Sequence, residues 1–379
     1  MAACGFFHTL AVTEEGSLWT WGLGAQGQLG HGDRENQLLP TCIAPGGLGD
    51  AKVVVAAGGR GHSVCATEDG AVWCWGSNAS AQLGTGDYKR HTRPNRLAPS
   101  CFGFAPVVLV ACGADHTVAL TDQGEVWAWG SGSKSQLGLG DKESRLAPAR
   151  VQVEQFDSGQ GRAFFVMVAA GDAHTVCIEA EGVVWSWGSG VEGCLGDGDT
   201  LAKCDPAPLD RAQAFDGARV VLVAAGAAHT VAVGYDGEMW AWGNGSSGQL
   251  GLGDTRSRLE PARVQIKLPG DNGAVPSGAR PGSRIVSAAC GAFHTLAVCD
   301  HWCLWVWGAG ADKQLGLDDG ASKLLPTPLD AACFEGAAVV GAGGGYLHSW
   351  ALTDVGDVWT WGEGNADEAG TCEPTGLGI

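Results

Sequence analysis

The stretch Ala111-Cys112-Gly113-Ala114-Asp115-His116-Thr117-Val118-Ala119-Leu120-Thr121-Asp122-Gln123-Gly124-Glu125-Val126-Trp127-Ala128-Trp129-Gly130 decides the fold of this 379-residue chain. It sets a histidine thirteen residues ahead of the second tryptophan in a Trp-x-Trp-Gly tetrad. The same pair occurs as His8/Trp21, His62/Trp75, His116/Trp129, His174/Trp187, His229/Trp242, His294/Trp307 and His348/Trp361. Successive tryptophans lie 54, 54, 58, 55, 65 and 54 residues apart, so one supersecondary unit is copied end to end. A residue present in every copy reads as scaffold. Recognition is to be sought where single copies depart from the pattern.

The second copy carries four short segments with strand character: Val53-Val54-Val55-Ala56, His62-Ser63-Val64-Cys65-Ala66, Val72-Trp73-Cys74-Trp75 and Pro94-Asn95-Arg96-Leu97. The first three carry β-branched or aromatic residues, and Gly, Pro or Asp punctuate all four. Between the second and third lies an acidic turn ending in glycine, as in Glu68-Asp69-Gly70 and Asp122-Gln123-Gly124. Glycine supplies the positive φ such a hairpin needs. A four-stranded sheet that is apolar on both faces buries itself by radial repetition. The expected fold is therefore all-β: a seven-bladed β-propeller of four-stranded antiparallel blades. Residues 1–379 are expected to form a single domain, with the ring closed by the chain termini, where Pro374-Thr375-Gly376-Leu377 supplies the last strand. The two tryptophans of each tetrad, two residues apart, point to one side of their strand and are expected to pack against the next blade.

Lys and Arg number 23 against 41 Asp and Glu, a formal charge of −18. This argues against a general grip on nucleic acid or anionic lipid and favours a basic or locally basic protein partner. The first residues lack a charged n-region and already belong to the first repeat, and no apolar stretch is long enough to span a bilayer. Many of the fourteen cysteines sit in a repeat slot that Ala or Gly fills elsewhere, as in Ala3-Cys4-Gly5 and Ala289-Cys290-Gly291. Such cysteines read as small buried residues of a reduced, intracellular protein, cytoplasmic or nuclear.

Copy three, continued by Gln136-Leu137-Gly138-Leu139-Gly140-Asp141, resembles the repeat of the regulator of chromosome condensation family. The resemblance covers essentially the whole chain and implies a seven-bladed propeller. It leaves function open, because relatives perform nucleotide exchange on a Ran-type GTPase, UV-B sensing, ubiquitin-ligase scaffolding and adaptor work. The family's exchange activity is associated with a polar wedge from one blade. The loops after the tetrads are here of ordinary length, and the largest excess, 267–283, lies in a connection between blades. The UV-B pattern places tryptophan before the repeat histidine, where this chain has Phe6-Phe7, Arg60-Gly61, Ala114-Asp115, Asp172-Ala173, Ala227-Ala228, Ala292-Phe293 and Tyr346-Leu347.

The expected function is a non-enzymatic protein–protein interaction module or scaffold. The alternatives are a guanine-nucleotide exchange factor for a Ran-type or other small GTPase, and the propeller part of a large ubiquitin ligase. No cofactor, direct nucleic-acid contact or membrane contact is expected. The seven histidines fall on seven blades and are expected to bond neighbouring backbone rather than one metal ion. Asp33, Asp87, Asp141, Asp199 and Asp254, each after glycine, and Asp319 in the same repeat slot read as turn-forming carboxylates. Cys299, His301 and Cys303 share one hairpin and lack a fourth metal ligand nearby.

In an up-and-down blade the residues before each histidine share a face with the loops after the tetrads. That face is expected to present Phe6, Phe7, Phe293, Tyr346 and Leu347 either as an apolar partner-binding patch or as rings turned inward to fill the central channel, with Arg60, Asp115 and Asp172 on the remaining rim. On the opposite face Trp302 stands where the other hairpins have glycine, as a candidate partner-binding residue or as the mark of a different turn type. Lys89, Arg90, Arg93 and Arg96 form a basic run suited to an acidic partner.

Overall fold

The computed structural model describes residues 1–44, 46–49, 51–153, 163–266 and 284–363. The Pro374-Thr375-Gly376-Leu377 strand, and with it the closure, lies outside them, as does the long connection 267–283. The described residues form seven antiparallel sheets, six of four strands and a seventh of which three are described, each ordered along the chain. The chain is thus an all-β propeller of seven blades. Blade two runs Val53–Gly58, His62–Thr67, Val72–Gly76 and His91–Arg96. Its outer strand begins earlier than the sequence suggests, because pairing starts with His91 opposite Gly76.

The constant spacing of histidine and tetrad is a hairpin register. His62 pairs with Gly76, His116 with Gly130 and His294 with Gly308, and the other blades repeat this. The tetrad glycine is obligatory at that point. Gly130 has φ +98°, and a Cβ there would meet the Asp115 carbonyl oxygen at 2.7 Å. A second glycine, three residues before the histidine, makes room for its ring: a Cβ on Gly113 would lie 2.1 Å from His116 Cε1.

Contacts gather the chain into two units. The first comprises Met1, Ala3–Val191 and Thr200–Asp210, which hold blades one to four. The second comprises Ala2, Glu192–Asp199 and the chain from Arg211 onward, which hold blades five to seven and the loop after the fourth tetrad. In the first unit each core lies between successive blades. Trp75 packs with Leu10, Val12 and Leu18 of blade one, Trp129 with Val64, Val72 and Cys74 of blade two, and Trp187 with Val118, Leu120 and Val126 of blade three. The second unit repeats this. Trp305 and Trp307 pack among Val231, Val233 and Met239 of blade five, and half-buried Trp361 lies against Leu296, Val298 and Leu304 of blade six.

These tryptophans therefore face the preceding blade, a correction to the expected direction. The correction extends to Trp21, which is buried at 8% exposure and stands opposite Thr9 in its hairpin. Among the described residues, the core between blades one and two is built on Trp75 and does not include Trp21, which was expected to fill it. The connections between blades explain the direction. Phe102, in the short helix Pro99–Phe102 leading into blade three, sets its edge against Trp127 and Trp129 at 5.9 Å each. Phe215 does the same for Trp240 and Trp242 at 5.6 and 5.9 Å. Phe334 meets Trp359 at 5.5 Å and Trp361 at 6.1 Å.

Candidate functional site

The repeated polar residues build seams between blades. His62 Nε2 lies 3.0 Å from Thr117 Oγ1 of blade three. That hydroxyl donates to the Gln82 carbonyl oxygen of blade two at 2.8 Å, and Trp129 Nε1–H donates to the same oxygen at 2.9 Å. Because the threonine proton is committed to Gln82, the hydroxyl accepts from His62, which fixes the Nε2–H tautomer. An equivalent chain runs from His8 through Ser63 to Gln28 O, which also takes the Trp75 N–H. Another runs from His116 through Thr175 to Gln136 O, which takes the Trp187 N–H at 3.0 Å. In the second unit His294 reaches Gln314 O through Ser349, and Trp361 Nε1–H donates to that oxygen at 2.9 Å. Trp129, Trp187 and Trp361 are thus frame residues held by a bond as well as by packing.

The histidine partner is a hydroxyl on the next blade, where the sequence suggested backbone. The signal was present as the Thr or Ser that follows every repeat histidine. Burial, followed by the neighbouring histidines, pushes His62 and His294 down to about 3, and burial and His174 push His116 down to about 3. Burial alone pushes His174 and His348 down to about 4. All five are neutral at physiological pH.

The aspartates after glycine close their loops. The Asp141 carboxylate accepts the Glu143 N–H at 2.9 Å and pairs with Arg145 at 2.6 Å, and Asp254 holds Arg256 and Arg258 in the same way. Arg258, then Arg256, draw the Asp254 carboxyl far below the usual carboxylate range. At the Cys299–Cys303 hairpin, His301 Nδ1 faces Asp300 Oδ1 at 2.8 Å, and Cys303 Sγ turns to the His301 carbonyl oxygen at 3.8 Å. The three candidate ligands do not converge, and no metal-binding group of His, Cys, Asp or Glu occurs among the described residues.

The residues before the histidines behave differently. In the first unit backbone bonds tie them in a row: Phe6 N–H donates to Gly59 O, Arg60 N–H to Ala114 O, and Ala114 N–H to Asp172 O. Side chains follow the row. The Arg60 guanidinium lies 5.5 Å from the centre of the Phe6 ring and 3.4 Å from Asp115 Oδ2. Phe7 meets Phe6 edge-on at 6.3 Å and is 42% exposed. Burial pushes the Asp172 carboxyl up to about 6, against the pull of Arg60 and with a further push from Asp115. The guanidinium thus pairs with Asp115, while the half-buried Asp172 carboxylate feels it only at longer range and has lost part of its hydration.

In the second unit Phe293 and Tyr346 form an edge-to-face pair at 5.5 Å, both half-buried, with half-buried Leu347 next in the chain. Both groups lie beside the loops that follow the tetrads, since Leu23 N–H donates to Phe7 O and Ala309 N–H to Phe293 O.

The basic run is spread over one strand and the loop that leads into it. Arg90 donates to Gln26 Oε1 of blade one at 2.6 Å, the Arg93 guanidinium lies over Gly32, and Arg96 pairs with Asp69 at 3.3 Å. Lys89 is exposed, its N–H held by Asp87 at 2.9 Å. Trp302 requires a correction. Its φ is +64°, close to the +68° of Gly124, and its N–H donates to Cys299 O at 2.8 Å as Gly70 N–H donates to Thr67 O at 2.7 Å. The turn type is unchanged, and tryptophan occupies left-handed backbone that bulky residues avoid.

Known proteins share this geometry. The RCC1-like domain model matches residues 1–275. The chain is 32% identical over 336 residues to the ultraviolet-B receptor UVR8 of Arabidopsis thaliana, covering 88% of this chain and 70% of that protein. It is 30% identical over 343 residues to the mitochondrial RCC1 domain-containing protein RUG3 of the same plant, covering 86% and 69%. Among solved structures, human WBSCR16 aligns with a TM-score of 0.80 at 25% identity, over 93% of this chain and 86% of that one. Prp20p of Saccharomyces cerevisiae, whose reported binding is to Gsp1p and histones, aligns at 0.77 with 24% identity, over 97% and 83%.

Proposed function

Since this chain belongs to the RCC1-like domain family, we propose that it is a non-enzymatic protein-interaction module that takes a protein partner on the residues before its repeat histidines. The observation that carries this reading is the Phe6–Arg60–Asp115–Asp172 row. His8, His62, His116 and His294 are buried against hydroxyls of the next blade, whereas this row is unrepeated, partly exposed and electrostatically unbalanced. A half-buried carboxylate with a raised pKa, as at Asp172, is a mark of functional surfaces. Phe7 adds an exposed aromatic ring beside it, and Phe293 with Tyr346 a second aromatic group in the other unit. Aromatic and arginine side chains dominate binding energy at protein interfaces.

A basic or locally basic protein suits the acidic chain, and an intracellular setting suits its buried thiols, such as Cys65, whose pKa burial pushes well up. No helix among the described residues is long and apolar enough to cross a membrane. The likeness to Prp20p at 24% identity carries the fold and not an activity.

The test is the double change Phe7→Asp with Phe293→Asp, followed by capture of partners from cell extract. Loss of the captured protein, with an unchanged melting curve, is the expected result. Undiminished capture would sink the reading. In parallel, accelerated nucleotide release from a small GTPase by the purified chain would replace the module by an exchange factor.

A further inference from the structure

Blade six carries a second departure, at the hairpin joining His294–Cys299 to Leu304–Gly308. Six hairpins of this kind turn on Gly16, Gly70, Gly124, Gly182, Gly237 and Gly356, all with positive φ. Trp302 holds the same conformation without the glycine that makes it easy, and it stays 48% exposed. Burial of the indole therefore does not offset the cost of its backbone conformation.

What it does is wall a cleft of about 120 Å³ between the hairpin and the connection Ala331–Val339 that leads into blade seven. At roughly 30 Å³ per liquid water that volume is room for about four waters, enough for the end of one long side chain. Leu304, Leu329, Phe334 and Val339 line it with apolar surface.

The surroundings are acidic. Asp300 opens the hairpin, with Oδ1 bonded to His301 Nδ1 at 2.8 Å and to the Arg284 N–H at 3.1 Å. Glu335 is exposed between the lining residues Phe334 and Gly336. Asp354 accepts the N–H of the lining residue Ala338 at 3.1 Å. The nearby cation, Arg284, reaches toward Asp236 at 3.9 Å, on the neighbouring hairpin.

We propose that this cleft is a docking site for an arginine side chain presented by a segment of a partner protein. The aliphatic stem would lie on the apolar lining and the guanidinium over the Trp302 indole, with Glu335 and Asp300 as counter-charges. Stacking of a guanidinium on tryptophan, in an acidic setting, is the chemistry that an exposed indole beside unbalanced carboxylates recognises. This site involves none of the residues before the repeat histidines, so it stands or falls separately from the module reading.

The test uses the full chain and a fluorescein-labelled Gly-Arg-Gly-Arg-Gly peptide, with the citrulline analogue as a neutral control of the same shape, read by anisotropy. The expected result is binding of the arginine peptide, at least tenfold weaker binding of the citrulline peptide, and at least tenfold weaker binding by Trp302→Gly. Trp302→Gly installs the residue that the other six hairpins use and leaves the charge unchanged, so it keeps the fold. Glu335→Gln weakens binding several-fold. Equal binding by Trp302→Gly would reduce the effect to attraction by net charge, and equal binding of the citrulline peptide would remove the cation. Either result overturns the site, as does absence of binding to the parent chain. Phe7→Asp leaves peptide binding unchanged, which separates this site from the other surface.

Discussion

The seam between blades two and three and the row Phe6–Arg60–Asp115–Asp172 respond to acid in opposite directions. In the seam, burial holds His62 and His116 at about 3, below their ordinary 6.5. The unfolded chain then binds more protons than the folded one between those values, so stability is lost as pH falls below about 6.5. In the row, burial holds Asp172 at about 6, above its ordinary 3.8. There the folded chain binds more protons, so stability is gained as pH falls from about 6 toward 4. The seam is built to stay neutral, and hydrogen bonds on the histidine Nε2 side offset its burial. The row keeps a partly desolvated carboxylate in the folded state. A partner that brings a cation to Asp172 stabilises it, and for this reason recognition is assigned to the row.

The contrast can be broken first at its strongest point. Trp129→Ala removes a fully buried indole together with its bond to Gln82 O, and a loss of about 3–5 kcal/mol is expected. Thermal melting reads this as unfolding or a large fall in midpoint. An unchanged midpoint would mean that the tetrads are not the frame of the blades.

Next comes Thr117→Val, which leaves His62 Nε2–H without an acceptor and costs about 1–3 kcal/mol. Thr117→Ser restores the hydroxyl and most of the stability. Equal melting of the Val and Ser variants would show that the seam rests on packing alone.

The smallest effect sharpens the comparison from the other side. Asp172→Asn melts higher than the parent above pH 6, by on the order of 1 kcal/mol in stability, and the difference closes as pH approaches 4. A difference that is constant across this range would mean that the fold does not raise the Asp172 carboxyl above its ordinary range.

The fold was legible because its determinants repeat. Histidine, tetrad and turn glycine each answer a local demand of register or φ, and local demands recur at a fixed interval. Residues that act between copies were harder to read. Phe102 and Phe215 plug the tetrads from connections of irregular sequence, so no period exposes them. The direction in which Trp75, Trp129, Trp187, Trp307 and Trp361 pack was not legible for a related reason. Two-residue alternation tells which residues share a face and not which neighbour that face meets.

In the candidate surface, the sequence singled out Phe6, Arg60, Asp115 and Asp172 one by one. That a single guanidinium meets the Asp115 carboxylate and the Phe6 ring depends on spatial succession of the blades within the first unit. Trp302 was legible as an exception, but its unchanged turn type required the backbone itself.

The most direct test of recognition by the row is photo-crosslinking from position 7. A benzoylphenylalanine at Phe7, which is exposed, is compared with one at Leu201, an exposed residue of the loop before the outer strand of blade four. One protein is expected to be captured from position 7 and not from position 201, and Asp172→Asn with Arg60→Ala is expected to abolish this capture while the chain remains folded. The same protein captured equally from both positions, or capture indifferent to the double change, would contradict the assignment of recognition to the row.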